Sequence, residues 1–347
     1  MKRAWPKRIL IARSAIEDVW EPSWVRALSE NGHEVELFDT FASLPGRWGW
    51  LQHRLLWGPG ISLANEGLLA KARSYRPDVV LMNLSHHYRP GTLRELKKLA
   101  FLALYHNDDP FGPRSWHPRY RLVKKSWPLW DGAHFYRDAT TADALAAGVK
   151  RAATLIDFYL PWAHFPRKGP IENEAVFIGH YEPGIRIDCI EAAAAAGLPL
   201  RVYSKEPQWQ GKLSPRAEAM AGLFPGLYGE DYGRKLSRAK VAVCFLSKWN
   251  RDVYTKRVFE ITACGGFLLC ERTPFMRSLF EEGREAEYFE SPEEFTDKLR
   301  YYLSHESARR RVAAAGLKRV HQDGHSVHER MRRWAADVAR WRGEAGA

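Results

Sequence analysis

Short apolar runs alternate with segments of helical spacing along the first half of the chain. RILIAR, from Arg8 to Arg13, and FLALYH, from Phe101 to His106, are apolar and too short for helices, so they predict buried strands. The pattern predicts strands at 8–13, 33–39, 78–84, 101–106, 133–136 and 154–159, and helices at 21–31, 65–75, 91–99 and 141–147. This alternation is typical of a doubly wound sheet covered by helices.

The same pattern restarts after a proline-rich interval. Pro161 to Asn173 contains three prolines and has no apolar period, which predicts an interdomain linker. Beyond it the pattern predicts strands at 176–179, 200–204, 240–247 and 266–271, and helices at 185–196, 231–238, 256–264 and 325–342. We therefore predict an α/β protein with two Rossmann-like domains, 1–165 and 174–325, and a C-terminal helical segment, 326–347. The aromatic stretch from Phe41 to Ile61 has little periodicity and predicts no regular element.

Composition and charge narrow the class of protein. The chain has 347 residues, of which 45% are hydrophobic, enough for two cores. Its four cysteines, without metal-ligand spacing, predict reduced core side chains. No apolar run approaches the roughly 20 residues of a membrane helix, and the start lacks a signal-peptide core, so we expect a cytoplasmic protein. The net charge of +12 indicates an anionic partner: a nucleotide sugar, an acidic membrane surface or nucleic acid.

The segment from Trp249 to Arg272 is the strongest candidate for chemistry. It follows a predicted strand with a polar loop and a short helix. In a parallel α/β sheet, such a loop and the first N–H groups of the next helix face the ligand, and phosphate is a common ligand there. The amides of Tyr254 and Thr255 lie at this junction, and Lys256 and Arg257 supply positive charge for a diphosphate.

Two carboxylates in the same segment allow two interpretations. Glu260 follows Lys256 by four residues, so both share a helix face. Glu260 then suits a pair of sugar hydroxyls, which match the two oxygens of a carboxylate. The alternative is structural: Asp252 or Thr255 caps the helix, and Lys256 with Glu260 forms a surface ion pair.

Three further loops at predicted strand ends carry polar side chains. Gly179, His180 and Arg186 belong to a loop that leads into a predicted helix. This pattern fits a phosphate-binding loop and a plain turn equally well. Asp108 and Asp109 precede a proline, which fits a metal site, a catalytic base or an Asx-turn. His86 and His87 point apart if their strand continues, which disfavours a shared metal; a solvated loop is the alternative to a ligand role.

The C-terminal half resembles a known family of enzymes. The run FEITACGG, with NDDPFG at Asn107 to Gly112 and VFIGHYEPG at Val176 to Gly184, is similar to the CgeB-like (spore protein YkvP/CgeB type) branch of GT-B glycosyltransferases, related to the large retaining group 1. The resemblance implies two domains facing across a cleft, and a last helix that crosses back to the first domain. It implies transfer of a sugar from a nucleoside diphosphate to an acceptor hydroxyl, with retention and without a metal or other cofactor.

The resemblance also implies roles for single residues. Glu260 matches the second glutamate of the group's E-x7-E signature and is expected to hold the nucleotide ribose. Asp252 falls on the first glutamate, where aspartate is one methylene shorter. Lys256 and Arg257 are expected to stabilise the leaving diphosphate, and an inverting enzyme would need a base such as Asp109 or a histidine. Other residues expected at the donor are Tyr254, Thr255, Gly179, His180 and Arg186, and at the acceptor side Asp108, His86 and His87.

Partners follow less directly. The loop from Ser14 to Trp20 lacks the paired glycines that many GT-B relatives have near the acceptor. Tryptophans cluster in the first half among basic residues, and packing is expected to account for most of them. Aromatic rings also stack on sugars and suit membrane interfaces, which favours a lipid-linked or otherwise anionic acceptor and a peripheral contact at the inner membrane face. The acceptor stays open between a glycan, a lipid-linked molecule and a protein. Two alternatives to an enzyme stay open: a catalytically silent GT-B scaffold of the spore-coat type, and a nucleic-acid-binding protein. We do not expect the second, because basic and acidic residues are interleaved along the chain.

Overall fold

A computed structural model describes residues 5–13, 20–205 and 208–345. The chain divides into two compact units. Unit 1 comprises Met1–Ile156, Trp249–Arg251 and Val327–Ala347, and unit 2 comprises Asp157–Lys248 and Asp252–Ser326. The proline-rich interval therefore belongs to unit 2. Each unit is built around one six-stranded sheet whose strands are all parallel.

Unit 1 contains the first sheet, with strand order β2-β1-β3-β4-β5-β6. Its strands are β1 Arg8–Arg13, β2 Glu34–Asp39, β3 Val79–Asn83, β4 Phe101–His106, β5 Gly132–Phe135 and β6 Ala152–Thr154. Its helices, apart from the last of the chain, are α1 Trp20–Glu30, α2 Gly46–Leu55, α3 Pro59–Tyr75, α4 Pro90–Lys97, α5 Arg121–Lys124 and α6 Asp138–Ala146, with 3-10 turns at Thr40–Ser43, Pro118–Tyr120 and Trp127–Leu129.

The central strands of unit 1 are buried, which is why continuous apolar runs predicted them. β3 is buried throughout, and β4 is buried from its second residue onward, since helices cover both faces of a parallel sheet. The sixth predicted strand, 154–159, was wrong in position, because β6 ends at Thr154 and a loop follows.

Helix α2 was not predicted, because two glycines among its ten residues weaken the helical pattern, and its apolar residues face outward. The helix buries Gly49 and Gln52, whereas its tryptophans and leucines are exposed. A Cβ at position 49 would collide with the Leu44 carbonyl, so only glycine fits there. Gln52 accepts the Gly60 N–H at 2.7 Å and so joins α2 to α3. A helical apolar period shows which residues share a stripe, but it does not show whether that stripe faces the core or the solvent.

Unit 2 contains the second sheet, with strand order β12-β11-β10-β7-β8-β9. Its strands are β7 Glu172–Ile178, β8 Leu200–Ser204, β9 Phe224–Pro225, β10 Ala239–Cys244, β11 Leu268–Glu271 and β12 Glu287–Phe289. Its helices are α7 Ile185–Ala195, α8 Pro215–Ala221, α9 Gly229–Arg238, α10 Arg257–Ala263, α11 Pro274–Leu279, α12 Pro292–Ser304 and α13 Glu306–Gln322. All four cysteines are buried and unpaired in this unit.

The last helix, α14 Val327–Ala345, packs on unit 1. Asn31, just after α1, donates a hydrogen bond to the His328 carbonyl at 3.1 Å, and His134 of β5 lies 3.2 Å from the Asp337 carboxylate. The chain thus returns to its first unit, as the resemblance implied, and two parallel α/β units confirm the predicted fold class. Within the described part of the chain, no helix combines the length and apolarity needed to cross a membrane.

Candidate functional site

The second sheet has a topological switch point between β7 and β10. These strands are neighbours, but the chain leaves β7 towards β8 on one side and leaves β10 towards β11 on the other. The loops after the two strands therefore diverge and leave a crevice at their carboxyl ends, where parallel α/β sheets bind ligands. The loop after β7 leads to α7, and the loop after β10, residues 245–256, leads to α10.

Arg186, in the first turn of α7, joins the two loops. Its guanidinium is buried and donates to the His180 carbonyl at 2.7 Å and to the Leu246 carbonyl at 3.1 Å. Burial lowers the pKa of Arg186, and Glu182 and Glu271 oppose this effect. Because its donors reach protein carbonyls, Arg186 holds the crevice in shape rather than presenting a free cation.

Two buried carboxylates fix the loop after β10. Glu182 accepts the Lys248 N–H at 2.7 Å, and Glu271, at the end of β11, accepts the Leu246 N–H at 2.6 Å and the Lys248 ammonium at 2.5 Å. Burial alone would raise the pKa of Glu182, but His180, Arg186 and the neighbouring hydrogen bonds lower it to about 2. No role was predicted for Glu182 from the sequence, although its position four residues before Arg186 is a spacing at which side chains on a helix can pair.

We expect Glu182→Gln to destabilise the protein in a pH-dependent way. The lowered pKa of Glu182 corresponds to roughly 2 to 3 kcal/mol of stability by linkage. A carboxylate with a lowered pKa stabilises the folded protein at pH values above its ordinary pKa of 4.5, and this contribution disappears as the pH falls towards 2. Urea unfolding should therefore show a wild-type advantage at neutral pH that shrinks below about pH 4.5.

Glu218→Gln is the matched control for that experiment. Glu218 also accepts a backbone N–H, from Gly211 at 2.7 Å, but at an exposed position. This variant should lose less than about 1 kcal/mol, with little dependence on pH. A Glu182→Gln penalty that stays constant from neutral to acidic pH would contradict the role of its charge.

Glu260 lies in α10 at the floor of the same region and is buried. Its Oε2 accepts the Tyr232 hydroxyl at 2.5 Å, and its Oε1 lies 3.4 Å from the Lys256 ammonium and 3.9 Å from His164 Nε2. His164 Nδ1 accepts the Leu160 N–H at 3.0 Å, so neutral His164 carries its proton on Nε2, the nitrogen nearer Glu260. The ion pair of the structural interpretation, Lys256 with Glu260, is therefore present, but it is largely buried and does not lie at the surface.

The charge state of this cluster is well defined. Burial alone would raise the pKa of Glu260, but Lys256, His164 and the Tyr232 hydroxyl together lower it. Burial and the adjacent carboxylate raise the pKa of Tyr232, and burial lowers the pKa of His164. Glu260 is thus an anion at neutral pH that accepts the Tyr232 hydroxyl and lies near the Lys256 ammonium, with the neutral ring of His164 beside it.

The residues around α10 take different positions from those of a capped helix. Lys256 is the N-cap residue, and its own side chain makes no capping hydrogen bond. Asp252 donates its N–H to the Ser247 carbonyl at 2.9 Å. Arg257 begins α10, which has only seven residues, so side-chain cations carry most of the positive charge. Asp252 and Arg257 both act electrostatically on Arg186, which places them at the switch point.

Three residues that were predicted to contact the sugar donor differ in how accessible their groups are. The Tyr254 side chain is fully buried, and its hydroxyl accepts the Asp157 N–H at 2.9 Å. Gly179 donates its N–H to Tyr203 and accepts the Trp209 indole N–H at 3.1 Å, so both of its backbone groups are used. His180, by contrast, is half-exposed, with Nε2 3.6 Å from Glu182. Of the three, His180 alone presents a side chain to the crevice.

In unit 1 the corresponding switch point lies between β1 and β3. The loop after β1 includes residues 14–19, which lie outside the described residues, so the acceptor loop considered from the sequence has no structural account. The loop after β3 bends at once, because Leu84 and Ser85 adopt left-handed conformations with φ of 61° and 53°. His86 and His87 turn inward and are buried, so the expected solvated loop is wrong.

The two histidines belong to separate buried contacts. His87 Nε2 lies 2.7 Å from His53 Nδ1, and the His86 ring is 5.5 Å from that of His106. Burial lowers the pKa of His87 to about 3 and that of His86 well below its usual value. Both are therefore neutral at physiological pH. Over residues 5–13, 20–205 and 208–345, no three His, Cys, Asp or Glu side chains are arranged to hold a metal ion.

The Asp109 carboxylate is paired with Arg251, for which no role was predicted from the sequence. Its buried carboxylate accepts two hydrogen bonds from Arg251, at 2.5 and 2.9 Å, and one from the Phe111 N–H at 3.1 Å. This last bond is the expected Asx-turn. Asp108 is half-buried and lies 3.4 Å from the Arg119 guanidinium. The partners of Asp109 are those of a structural anchor rather than a general base, which needs an unblocked oxygen.

Comparison with known proteins gives a family match over part of the chain, and a fold. A family described as "Glycosyl transferase-like" matches residues 186–336, which include the loop after β10 and the whole of α10. No curated protein matches the sequence.

Three solved structures are similar over nearly the whole chain. Sucrose-phosphate synthase from Thermosynechococcus elongatus has a TM-score of 0.65 at 13% identity, covering 98% of both chains. Anabaena HepE in complex with UDP and glucose has a TM-score of 0.66 at 12% identity, covering 95% of this chain and 98% of that one. Trehalose 6-phosphate synthase from Burkholderia multivorans has a TM-score of 0.63 at 12% identity, covering 98% of this chain and 99% of that one. At such identities the likeness shows the fold, GT-B.

Proposed function

We propose that this protein is a glycosyltransferase that moves a sugar from a nucleoside-diphosphate sugar to an acceptor hydroxyl. The observation that carries the proposal is the placement of Lys256, Arg257 and the ionised Glu260 just after β10, at the switch point of a parallel sheet. The glycosyltransferase-like family match over the same residues supports it. Because HepE was solved with UDP and with UDP-glucose, UDP is the first nucleotide to test.

Glu260 is assigned to the ribose of the donor. Each carboxylate oxygen accepts two hydrogen bonds, so the contacts with Tyr232 and Lys256 leave acceptor capacity for two hydroxyls. The hydroxyl of Tyr232 and the ring of His164 orient the carboxylate, and we assign both as positioning residues. Asp252 and His180 lie at the rim as further donor contacts, Thr255 and Tyr254 contribute through the backbone, and Arg186 and Gly179 shape the loops.

The reaction requires stabilisation of negative charge on the leaving diphosphate. Breaking the bond between the anomeric carbon and the phosphate oxygen builds positive charge on the sugar and negative charge on the diphosphate. Lys256 and Arg257 are placed to stabilise that anion electrostatically, the effect that contributes most in such sites. The proposal needs no metal and no other cofactor for this step.

We further propose retention of anomeric configuration and membership of the CgeB-like branch. In a retaining reaction without a protein nucleophile, an oxygen of the leaving phosphate takes the proton of the incoming hydroxyl on the same face. Asp109, predicted as the base for inversion, is engaged by Arg251 and is not assigned that step here. Asp108, His86 and His87 stay proposals for the acceptor side, in which the neutral histidines would donate or accept single hydrogen bonds.

Nucleotide binding and turnover test the proposal together. The purified protein is heated with UDP, GDP, ADP, dTDP and CDP and with the corresponding sugar conjugates. One nucleotide at a hundred times its Kd should stabilise the native state by about 2.7 kcal/mol, which raises the melting temperature by about 5 to 10 °C. Slow release of that nucleoside diphosphate from its sugar conjugate should then be detectable, and proton NMR of the product gives the anomeric configuration.

The alternatives give different results in the same assays. Replacing Lys256 and Arg257 by alanine should lower turnover at least about a hundredfold while the protein stays folded. A nucleotide that binds without turnover under any acceptor would indicate a silent scaffold. No shift with any nucleotide, together with salt-sensitive binding of an oligonucleotide, would indicate a nucleic-acid-binding protein and overturn the proposal.

A further inference from the structure

Helix α2 has its apolar side facing solvent. Trp48, Leu51 and Leu55 recur at helical spacing on one exposed stripe, with side chains 68%, 36% and 56% exposed. Trp50 is also exposed, and the Arg54 guanidinium lies 4.9 Å from its ring centre. A helix that buries Gly49 and Gln52 while exposing tryptophan and leucine has the reverse of the usual arrangement. The fold itself does not need these apolar side chains.

The exposed stripe continues beyond the helix. Trp57 and Leu63, in the connection to α3 and in its first turns, are 69% and 58% exposed, and Trp116 is 75% exposed. Arg121, at the start of α5, donates to the Leu55 carbonyl at 3.5 Å, which joins the region around α5 to α2. We call six of these side chains the exposed apolar face: Trp48, Leu51, Leu55, Trp57, Leu63 and Trp116.

Positive charge surrounds this face, and acidic side chains are missing from both segments that form it. Residues 40–65 and 110–130 contain no aspartate or glutamate. They contain the basic residues Arg47, Arg54, Arg114, Arg119, Arg121, Lys124 and Lys125. Burial and the charges of Arg119, Arg114 and Arg54 lower the pKa of His117, whereas Asp108, which lies 3.4 Å from Arg119, raises it.

We propose that the exposed apolar face docks on a lipid bilayer surface that carries anionic headgroups. Tryptophan and leucine insert into the interfacial layer, and the surrounding arginines and lysines contact the anionic headgroups. The face lies within unit 1 and involves none of the residues assigned to the donor, so this inference does not depend on the proposed function.

Other occupants fit the face less well. A second copy of the chain in a two-fold contact would bring the same positive charges opposite each other, which is unfavourable. Single-stranded nucleic acid stacks on aromatic rings, but Leu51, Leu55 and Leu63 offer no flat surface for a base. A fluid anionic membrane accommodates both the aliphatic side chains and the basic rim.

Vesicle flotation tests the proposal with the full chain. Vesicles of phosphatidylcholine alone are compared with vesicles that also contain phosphatidylglycerol. We expect binding to the anionic vesicles and at least about tenfold weaker binding to the neutral ones, with affinity that falls as salt rises. Equal binding to both kinds of vesicle, or no binding to either, would overturn the proposal.

Two pairs of variants separate the apolar and the basic contributions. Leu51→Ser with Leu55→Ser should weaken binding at least tenfold, whereas Leu145→Ser, at another exposed leucine of unit 1, should not. Arg121→Glu with Lys124→Glu should weaken it more than tenfold, whereas Lys150→Glu with Lys318→Glu should change it much less. Unchanged binding in both test variants would overturn the proposal, as would a dimer in solution that both variants dissociate.

Discussion

Glu260→Gln is expected to weaken binding of the donor nucleotide by about 1 to 3 kcal/mol, roughly 5-fold to 150-fold. The carboxylate of Glu260 is ionised, buried and oriented by the Tyr232 hydroxyl and the Lys256 ammonium. Glutamine keeps the shape but replaces one acceptor oxygen by an amide that donates, so at least one ribose hydroxyl loses its charged acceptor. Isothermal titration with the nucleotide found by thermal shift measures the loss.

Glu287 supplies a matched control for this variant. It is also buried in unit 2, accepts the Tyr302 hydroxyl at 2.5 Å and accepts the Lys298 ammonium at 2.7 Å. It belongs to β12 at the edge of the sheet, two strands away from β10. Glu287→Gln should therefore lose a comparable amount of stability but retain the nucleotide affinity of the wild type.

The comparison of the two variants distinguishes a ligand role from a structural one. If Glu260→Gln binds the nucleotide as tightly as the wild type does, Glu260 is a buried structural anion and the donor assignment is wrong. If both variants lose affinity equally, the loss reflects general destabilisation. Affinity lost in Glu260→Gln alone supports direct contact between its carboxylate and the donor.

Arg251→Ala is expected to destabilise unit 1 by about 2 to 3 kcal/mol. The Arg251 guanidinium donates to both oxygens of Asp109, whose side chain is fully buried. Removing the cation leaves an uncompensated carboxylate, which typically costs 3 to 5 kcal/mol in a dry interior. We expect less here, because the Arg251 side chain is 37% exposed and water partly replaces it. Urea unfolding measures the change.

Asp143 is the internal control for this ion pair. Arg251 also donates to the Asp143 carboxylate, at 2.7 Å, but that side chain is 39% exposed. Asp143→Asn should therefore lose less than about 1 kcal/mol. A double-mutant cycle between Arg251→Ala and Asp109→Asn should give a coupling energy above that of the Asp143 pair.

Turnover in Asp109→Asn decides between the two roles considered for this residue. A structural anchor predicts lost stability with turnover reduced only as far as the folded fraction falls. Normal stability with turnover abolished would instead support Asp109 as a catalytic base, and with it an inverting mechanism.

The amino-acid sequence by itself determined the alternating architecture and the position of the donor segment. RILIAR, FLALYH and LRVYS predicted β1, β4 and β8 with the bounds that the structure has. These strands lie in parallel sheets covered on both faces, where a continuous apolar run is a local signal. The loop and short helix around Glu260 were equally local, since strand, polar loop and helix follow one another directly in the chain.

Only the tertiary structure decided how single side chains are used. The apolar stripe of helix α2 faces solvent, and His86 and His87 are buried because two left-handed residues turn the chain inward. Glu260 has partners from α9 and from the segment before β7, and Asp109 has Arg251, 142 positions away. Such partners are set by packing of distant segments, whereas local periodicity reports only which face of an element is apolar.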